Sequence, residues 1–543
     1  MTAHPDSRTH RRAAFAALVT GGLLLSACAS SDTGSAGGEG GEGGRPKSGG
    51  TLTFAVGSDA GCVDPQQVGS NDTIYSLRQV VDSLTDQDPK TGKIVPWLAK
   101  SWDISPDTTT FTFHLRSGVT FSDGTPLTAQ VVKDNFDAVP KLGALGTLAQ
   151  GYLSGVESTT AVDPLTVRIG FKQPNAQFLQ ATATHSLGIE SSASAKESPQ
   201  DKCSKGVVGS GPFVLKDYAQ NQSITLARRA KYAWGSTLWT KKGEAYLDKL
   251  VFKVVPEAGV RTGSLQSGQV DAIGSVGKAN EAALQGGAVN LPQRANPGVV
   301  FNLGLNNSRA LFKDAKVRQA LLFAIDRQQI VDAVFPTGTE PATSILAHTT
   351  PDYADLGPDL AFDAGKAKSL LDSAGWKAGS DGVRVKDGKK LSLTVKWFAN
   401  AATNQPALEL IQQQLKAVGI DVVLKQLQIT QFSPTLQSGD FDAVWGNVTR
   451  ADPDILRSSY SSRLANFYHL PASSLDDALT QQAATSDPAK RKQLVSEAQK
   501  LIVQNAYVVP VVELQTQLGV AKKVHDLDFE ASSRIQLHDT WIG

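Results

Sequence analysis

The 543-residue sequence lacks any uninterrupted run of 18 apolar residues, has only three cysteines and carries almost no excess charge. Without such a run, we expect no segment that spans a bilayer once the chain is processed. The 53 basic and 52 acidic residues leave a formal net charge of +1. That balance gives no electrostatic case for nucleic-acid binding, which needs a clustered basic surface. The length exceeds one ordinary core and predicts two or three domains.

Strong catalytic motifs are missing as well. No two of the eight histidines stand four residues apart, so there is no HExxH zinc helix, and no GxSxG nucleophile elbow occurs. The stretch 272–278 faintly resembles a phosphate loop, but Ala272 and Ala279 replace the required glycine and hydroxyl residue. These absences favour binding over catalysis, and we expect no enzyme activity, no cofactor and no metal.

The amino terminus has the layout of an export signal. Arg11-Arg12 precede a short apolar run that ends in Leu25-Ser26-Ala27-Cys28, so residues 1–28 predict a signal peptide. The last four residues resemble the lipobox of bacterial lipoproteins. This resemblance implies a lipid on Cys28 and an extracytoplasmic chain anchored to the cell membrane. An ordinary signal peptide with a chance cysteine, and twin-arginine rather than general export, stay open as alternatives.

The segment 29–49 predicts a disordered linker, because it is rich in glycine and serine and holds no large apolar residue to seed a core. About 20 such residues have a root-mean-square reach of roughly 25 Å, which suits a spacer between a membrane and a globular body.

Cys62 and Cys203 remain if Cys28 carries a lipid. In an oxidising compartment a disulfide between them is the default interpretation. Two separate buried thiols and a metal site are the alternatives, and the sequence alone does not show that the two Cα atoms are close enough to bond.

The remaining pattern predicts mixed α/β structure. Alternating apolar residues predict strands at 51–56, 111–116 and 167–171. Further along, Asp314 and Asp363 can cap helices, and Gly419 ends a helix that a β-branched strand follows. Helices alternating with β-branched strands favour mixed α/β lobes.

The segment from Val95 to Asn135 closely resembles the signature of the family 5 solute-binding proteins of ABC transporters, the oligopeptide, dipeptide and nickel-binding group. The matching positions are Pro96, Leu98-Ala99, Ser101-Trp102, Phe113, Leu115-Arg116, Gly118-Val119, Phe121, Asp123-Gly124, Pro126-Leu127-Thr128-Ala129 and Val132. The resemblance continues at 209–213 and 312–327 and covers about residues 50–543.

This resemblance implies a periplasmic-binding-protein-like α/β clamp (type II, cluster C) with two lobes and an extra domain. Domain I would comprise 50–88, 206–298 and 510–543, domain II 89–205 and domain III 299–509. Hinge crossings are expected near Gly304 and Val509-Pro510.

The resemblance also implies a function. A monomer would capture a peptide or peptide-like solute between the lobes and deliver it to an ABC permease and its ATPase. A solute-sensing or chaperone-like surface lipoprotein without an import role, and a secreted hydrolase, are the alternatives.

Ligand contacts in this family come from the loop after the first strand and from domain III. The corresponding candidates are Cys62, Val63, Asp64, Trp397, Asn400, Trp445, Asn447, Thr449, Arg450 and Asp452. The aromatic members suit a cleft wall, although ordinary core packing is an equal alternative for both tryptophans, as is a solvated surface charge for Arg450.

Two departures from the family pattern bear on the ligand. Dipeptide-binding members carry an aspartate where this chain has Thr449, and an arginine in the segment aligned with residues 400–404, where this chain has none. A zwitterionic dipeptide would lose both charge partners, so we expect another ligand, with Arg450 facing an anionic group. A modified peptide, an opine-like compound and a metal chelate stay open.

The lipobox interpretation predicts that wild-type protein expressed in bacteria incorporates radiolabelled palmitate and that Cys28→Ala does not. The lipid would form a thioether on that one thiol, so Cys62→Ala serves as the cysteine control and keeps the label. An unlabelled wild type would refute the anchor.

Overall fold

The computed structural model describes residues 45–398 and 401–543. The signal peptide, Cys28 and most of the predicted linker lie outside these residues. The linker was predicted to run through residue 49, but Gly49 donates its backbone N–H to the carbonyl of Tyr246 at 2.8 Å, and Gly50 donates to Asp248. Backbone pairing with the folded body therefore begins by Gly49.

The largest sheet gathers strands from distant parts of the chain. In spatial order its seven strands are Val289–Asn290, Gly519–Ala521, Ala272–Ile273, Thr51–Val56, Lys249–Val254, Ser223–Arg228 and Phe213–Ala219. The strand Thr51–Val56 lies parallel to both of its neighbours and buries Leu52, Phe54 and Val56, the residues whose alternation predicted it.

A four-stranded antiparallel sheet carries the aromatic signature segment. Its order is Ala99–Ile104, Thr110–Leu115, Thr166–Phe171 and Val156–Asp163. Phe111 and Phe113 are fully buried and meet Phe178 edge to face, with ring centroids 5.0 and 6.3 Å apart. These residues build a core, as expected.

The third large sheet has five strands, in the order Asp421–Leu427, Ser392–Phe398, Ala443–Thr449, Gly298–Leu305 and Val508–Val512. All eight residues of its strand Gly298–Leu305 are buried, because helices cover the sheet. Parallel pairing of Ser392–Phe398 with both neighbours follows from the helical crossovers of this region.

Small strand groups complete the sheets. They are Lys377–Ala378, Arg384–Lys386 and Lys389–Lys390, and the pairs Thr85–Gln87 with Ile94–Pro96, Gln293–Ala295 with Gln515–Gln517, Val524–His525 with Trp541–Ile542, and Asp528–Phe529 with Ile535–Gln536.

The described α-helices are Asn71–Leu77, Ala129–Ala138, Thr147–Tyr152, Phe178–Ala181, Ser192–Ala195, Pro199–Lys205, Ala258–Gln266, Lys278–Leu284, Ala315–Ala324, Arg327–Val334, Ala364–Ser373, Asn404–Ala417, Ile429–Ser438, Ile455–Tyr460, Ser474–Ala483 and Pro488–Gln504. Short 3-10 helices span Val139–Gly146, His185–Leu187, Ala310–Phe312 and Gly357–Leu360.

Helix ends follow the sequence signals. The Asp314 side chain accepts from the backbone N–H of Lys316, and the Asp363 side chain from that of Lys366, so both predicted caps are confirmed. Gly419 has a φ of +91°, a left-handed conformation that costs glycine little, and it separates the helix Asn404–Ala417 from the strand Asp421–Leu427.

The chain crosses between the seven-stranded and five-stranded sheets twice. Both crossings run through one antiparallel pair, Gln293–Ala295 with Gln515–Gln517. The predicted crossings near Gly304 and Val509-Pro510 are wrong, because both positions lie inside buried strands of the five-stranded sheet. Apolar alternation cannot distinguish the end of a sheet from a connecting ribbon that continues the same extended backbone.

Among residues 45–398 and 401–543, no helix has both the length and the apolar character needed to cross a membrane.

The loop after the first strand is fixed by a disulfide. The structure bonds Cys62 to Cys203, with Cα atoms 4.0 Å apart, and the neighbouring Val63 donates its backbone N–H to the carbonyl of Cys203 at 2.9 Å. The pairing that the sequence left open therefore joins this loop to the helix Pro199–Lys205.

A buried ion cluster lies beside that disulfide. Lys202 Nζ is 3.0 Å from Asp64 Oδ2 and 2.8 Å from Glu190 Oε1, and the three side chains are at most 1% exposed. Burial, reinforced by the charge of Asp64, raises the pKa of Glu190 to about 8. Burial opposes the charge of Lys202, but the two carboxyl groups raise its pKa above the ordinary value. A pKa of about 8 leaves Glu190 mostly protonated at neutral pH, next to the lysine cation.

This protonation state predicts a pH-dependent stability difference between the wild type and Glu190→Gln. The folded-state pKa lies above the ordinary value of 4.5, so the favourable contribution of Glu190 is complete below pH 4.5 and is lost as the pH rises towards 8. Between pH 6 and pH 9, the free energy of unfolding of the wild type, measured by urea unfolding, should fall by at least about 1 kcal/mol more than that of Glu190→Gln. An equal difference at both pH values would contradict a buried protonated acid.

Candidate functional site

Three chain segments meet around a small enclosed space. One contributes Tyr152 and His185, the second contributes Arg450 at the end of the strand Ala443–Thr449, and the third contributes Arg534 near the carboxyl terminus. The full lining is Leu148, Tyr152, Gln180, Thr184, His185, Ser186, Thr449, Arg450, Ala451, Ser532 and Arg534. The space measures about 10 Å³, roughly the room that one water molecule needs. An organic molecule can therefore enter only if these surfaces separate.

Arg450 reaches this space from the five-stranded sheet. Its backbone N–H donates to Pro297 at 2.9 Å, and its Nη1 donates to the carbonyl of Thr449 at 3.1 Å. The guanidinium carbon lies 5.3 Å from the ring centroid of Tyr152, in cation–π range. Within the described chain, Arg450 forms no ion pair with a carboxylate.

Arg534 reaches the same space from the turn between the strands Asp528–Phe529 and Ile535–Gln536. Its side chain is largely buried, and its Nε has no hydrogen-bond partner among the described residues. Burial lowers the pKa of Arg534, and the negative charge of Glu530 opposes this effect. An unpaired donor in a buried site is costly, and a bound anion would remove that cost.

His185 supplies a neutral polar group next to the two arginines. The ring is 1% exposed. Its Nε2 is 3.3 Å from both the carbonyl of Val68 and the hydroxyl of Ser186, and its Nδ1 has no partner in the described structure. Burial lowers its pKa well below the ordinary value, and Arg534 and Arg78 add to the effect. With Nε2–H donating to Val68, Nδ1 is left as an acceptor for a ligand N–H or O–H.

The site therefore combines two cations with neutral polar groups such as His185 and has no carboxylate in its lining. In an enclosed, poorly hydrated space, a charged hydrogen bond from a guanidinium is stronger than in water. Ser186 contacts His185, but within the described residues no carboxylate orients Nδ1, as a Ser-His-Asp triad requires. The geometry suits the binding of an anion.

Arg450 and Thr449, both predicted from sequence, lie in this site. Asn447 is partly buried two residues earlier on the same strand, outside the lining. Asn400 lies outside the described residues. Arg450 lines the enclosed space, and its role as a ligand contact stays a prediction.

The two predicted tryptophans are core residues and not cleft walls. Trp445 is 1% exposed, stacks on Phe301 with centroids 5.2 Å apart and donates from Nε1 to Asn404 at 3.1 Å. Trp397 is 4% exposed within the same apolar core. Alternation along a strand fixes which residues share a face but not whether that face meets a helix or a cleft.

The remaining candidates hold the fold together. Cys62 is in the disulfide, Val63 is buried, and Asp64 is inside the Lys202 cluster. Asp452 accepts a two-pronged bond from Arg491, at 2.6 and 3.0 Å, and is 5% exposed. The contacts described for these four residues are therefore internal to the protein, and none of the four lines the enclosed space.

Sequence reasoning missed Tyr152, His185 and Arg534. His185 belongs to no motif, and Arg534 lies in a short segment of irregular strands near the carboxyl terminus. The one available signal was that the secondary-structure pattern assigned no role to either His185 or Arg534.

Comparison with known proteins adds independent information. Residues 93–467 match the model of the bacterial extracellular solute-binding proteins, family 5. The glutathione-binding protein GsiB of Escherichia coli O1:K1 / APEC is 28% identical over 477 residues, which cover 85% of this chain and 88% of GsiB.

Solved structures share the fold. NikA from Brucella suis in complex with Fe(III)-EDTA superposes with a TM-score of 0.79 at 24% identity, covering 91% of this chain and 100% of NikA. The ABC transporter-associated periplasmic binding protein DppA from Helicobacter pylori, in complex with peptide STSA, has a TM-score of 0.73 at 24% identity, with coverages of 91% and 98%.

The placement of Asp452 predicts a structural role that stability measurements can separate from ligand binding. Asp452→Ala leaves Arg491 buried without its partner, so the free energy of unfolding should fall by about 3–5 kcal/mol. Asp477→Ala, which breaks the exposed pair with Arg463, should cost less than about 1 kcal/mol. Equal urea midpoints for the two variants would return Asp452 to the list of ligand candidates.

Proposed function

The chain belongs to the bacterial extracellular solute-binding proteins of family 5, and we propose that it captures a carboxylate-bearing, peptide-like solute between its lobes and presents it to an ABC permease. The family assignment rests on the match over residues 93–467. The chemistry of the ligand rests on the enclosed space between the three segments.

The observation that carries the ligand proposal is the convergence of Arg450 and Arg534 without a carboxylate partner in the described chain. Each charged hydrogen bond to a ligand carboxylate is worth about 1.5–3 kcal/mol. A guanidinium also fits a carboxylate in a two-pronged geometry that fixes ligand orientation. A ligand with at least one carboxylate, and more carboxylates than ammonium groups, matches this arrangement.

The absence of an anionic lining residue argues against a plain dipeptide. Thr449 stands where dipeptide-binding members have an aspartate, and its hydroxyl cannot balance an ammonium group. GsiB is named for glutathione, a peptide-like molecule with two carboxylates and one ammonium group, so glutathione is the first probe for this chain.

Ligand entry requires the lobes to part, and the contacts across the cleft are suited to breaking. Thr108 Oγ1 donates to Ala483 at 2.9 Å, Ala176 N–H donates to the same carbonyl at 3.0 Å, and Gln87 Nε2 donates to Ala451 at 3.3 Å. Water can replace each of these few polar bonds at a small net cost. A ligand bound to Arg450 and Arg534 at once would favour the closed form.

The proposed domain organisation, membrane anchor and partners follow those that the family implies. The connecting ribbon at 293–295 and 515–517 is the hinge, so domain I comprises about 50–88, 206–292 and 518–543, domain II 89–205, and domain III about 296–514. A monomer, without enzymatic activity, is held at the outer face of the cell membrane by a lipid on Cys28 and acts with a permease and an ATPase.

The proposal predicts that glutathione binds the wild type and that Arg450→Ala weakens binding by about 10- to 150-fold, the equivalent of one lost charged hydrogen bond. Isothermal titration calorimetry, with tryptophan fluorescence as a second readout, would measure the affinity. Arg168→Ala removes an exposed arginine from the four-stranded sheet and is the matched control, expected to bind as the wild type does.

Alanyl-alanine tests the charge argument, because it has one carboxylate and one ammonium group. We expect it to bind much more weakly than glutathione. Tight dipeptide binding, or an Arg450→Ala variant with wild-type affinity for whichever carboxylate ligand binds, would overturn the proposed recognition while leaving the family assignment intact.

A further inference from the structure

A second polar cluster lies outside the cleft, beside the ribbon that connects the seven-stranded and five-stranded sheets. His348 Nδ1 is 2.6 Å from Glu513 Oε2 and 3.6 Å from Glu340 Oε2. One ligand atom from each of the three residues lies within 4.8 Å of the others. Together they line one side of a polar depression of about 280 Å³.

The backbone holds these three residues in place. Glu513 immediately follows the strand Val508–Val512 and donates its N–H to the carbonyl of Glu340 at 3.1 Å. Its carboxylate in turn accepts the backbone N–H of His348 at 2.8 Å. Two segments distant in sequence, the loop that carries Glu340 and His348 and the residue after the strand Val508–Val512, are therefore joined before any ligand arrives, which lowers the ordering cost of binding.

The charge of the cluster is not balanced by lysine or arginine. Within the described chain, Glu340 and Glu513 form ion pairs only with His348, and the Glu513 side chain is 2% exposed. Arg294 lines the same depression, but its Nη2 donates to the carbonyl of Pro89 at 2.9 Å. Two carboxylates thus share one imidazole at a site that solvent reaches through the partly exposed histidine.

We propose that Glu340, His348 and Glu513 bind a divalent transition-metal ion of the Zn²⁺ type. His348 would contribute Nδ1, with its ring proton on Nε2, and each glutamate would contribute one oxygen, leaving the other coordination positions to water. Imidazole nitrogen and carboxylate oxygen are both zinc ligands, and three protein ligands leave a position for water. The imidazole disfavours Ca²⁺ and Mg²⁺, which prefer oxygen ligands.

The geometry requires little rearrangement. Ligand atoms at about 2.0–2.2 Å from a tetrahedral ion lie roughly 3.4 Å from one another. The separation between His348 and Glu340 is already close to that value, and the one between His348 and Glu513 would need to widen by under about 1 Å. Because Glu513 leads directly into the ribbon strand Gln515–Gln517, the ion would tie the loop that carries Glu340 and His348 to the hinge.

Calorimetric titration of the full chain, purified without a histidine tag, with zinc chloride tests the site. The wild type should bind an ion that His348→Ala and Glu340→Gln bind about 10-fold or more weakly, and zinc should raise the melting temperature of the wild type but not that of these two variants. Both residues are partly or largely exposed, and circular dichroism would verify that the variants fold.

His114→Ala is the matched control, because His114 also pairs with a carboxylate, Asp103, at 2.9 Å, but on a different sheet and without a third ligand. It should bind zinc as the wild type does. Arg450→Ala should do the same, which separates this site from the cleft. Equal zinc binding by wild type and His348→Ala, or equal losses in His348→Ala and His114→Ala, would overturn the proposal.

Discussion

One constraint organises this molecule: across residues 45–398 and 401–543, the chain passes between the seven-stranded and five-stranded sheets only through the paired strands Gln293–Ala295 and Gln515–Gln517. A two-stranded ribbon can bend without exposing an apolar core, whereas the sheets on either side contribute residues to the apolar cores. Arg450 lies on the five-stranded side of this ribbon and Arg534 on the other. The position of the ribbon therefore decides which charged groups face each other across the cleft.

The charges in the cleft differ from the ion-paired charges elsewhere in the protein. Lys202 has two carboxyl partners, and Asp452 has a two-pronged bond from Arg491, so these charges are paired within the protein. Arg534 leaves a buried donor without a partner, and Arg450 has no carboxylate within reach in the described chain. An unsatisfied group in a native structure calls for an explanation, and a ligand anion explains both arginines with a single molecule.

Whether a charged side chain has a partner also distinguishes positions that resemble each other in sequence. Arg450 and Asp452 are two residues apart and both looked like cleft residues, yet one is unpaired between the lobes and the other is locked to a helix. A ligand that bridges the lobes would gain energy only in the closed form, and that differential affinity is what a transport signal requires. Buried ion pairs within one lobe provide no such difference.

The α/β character, the capped helices at Asp314 and Asp363, the aromatic core around Phe111 and the family all follow from the amino-acid sequence, because they depend on local pattern and fixed spacing. The two-lobe fold that the family implied is confirmed by structures that cover nine-tenths of the chain. Three-dimensional packing was needed to show that Trp397 and Trp445 are core residues, that Asp64 belongs to an internal cluster, and that Tyr152, His185 and Arg534 meet Arg450. Periodicity assigns a residue to one face of its own strand or helix. What that face contacts is set by segments hundreds of residues away, and no local pattern records it.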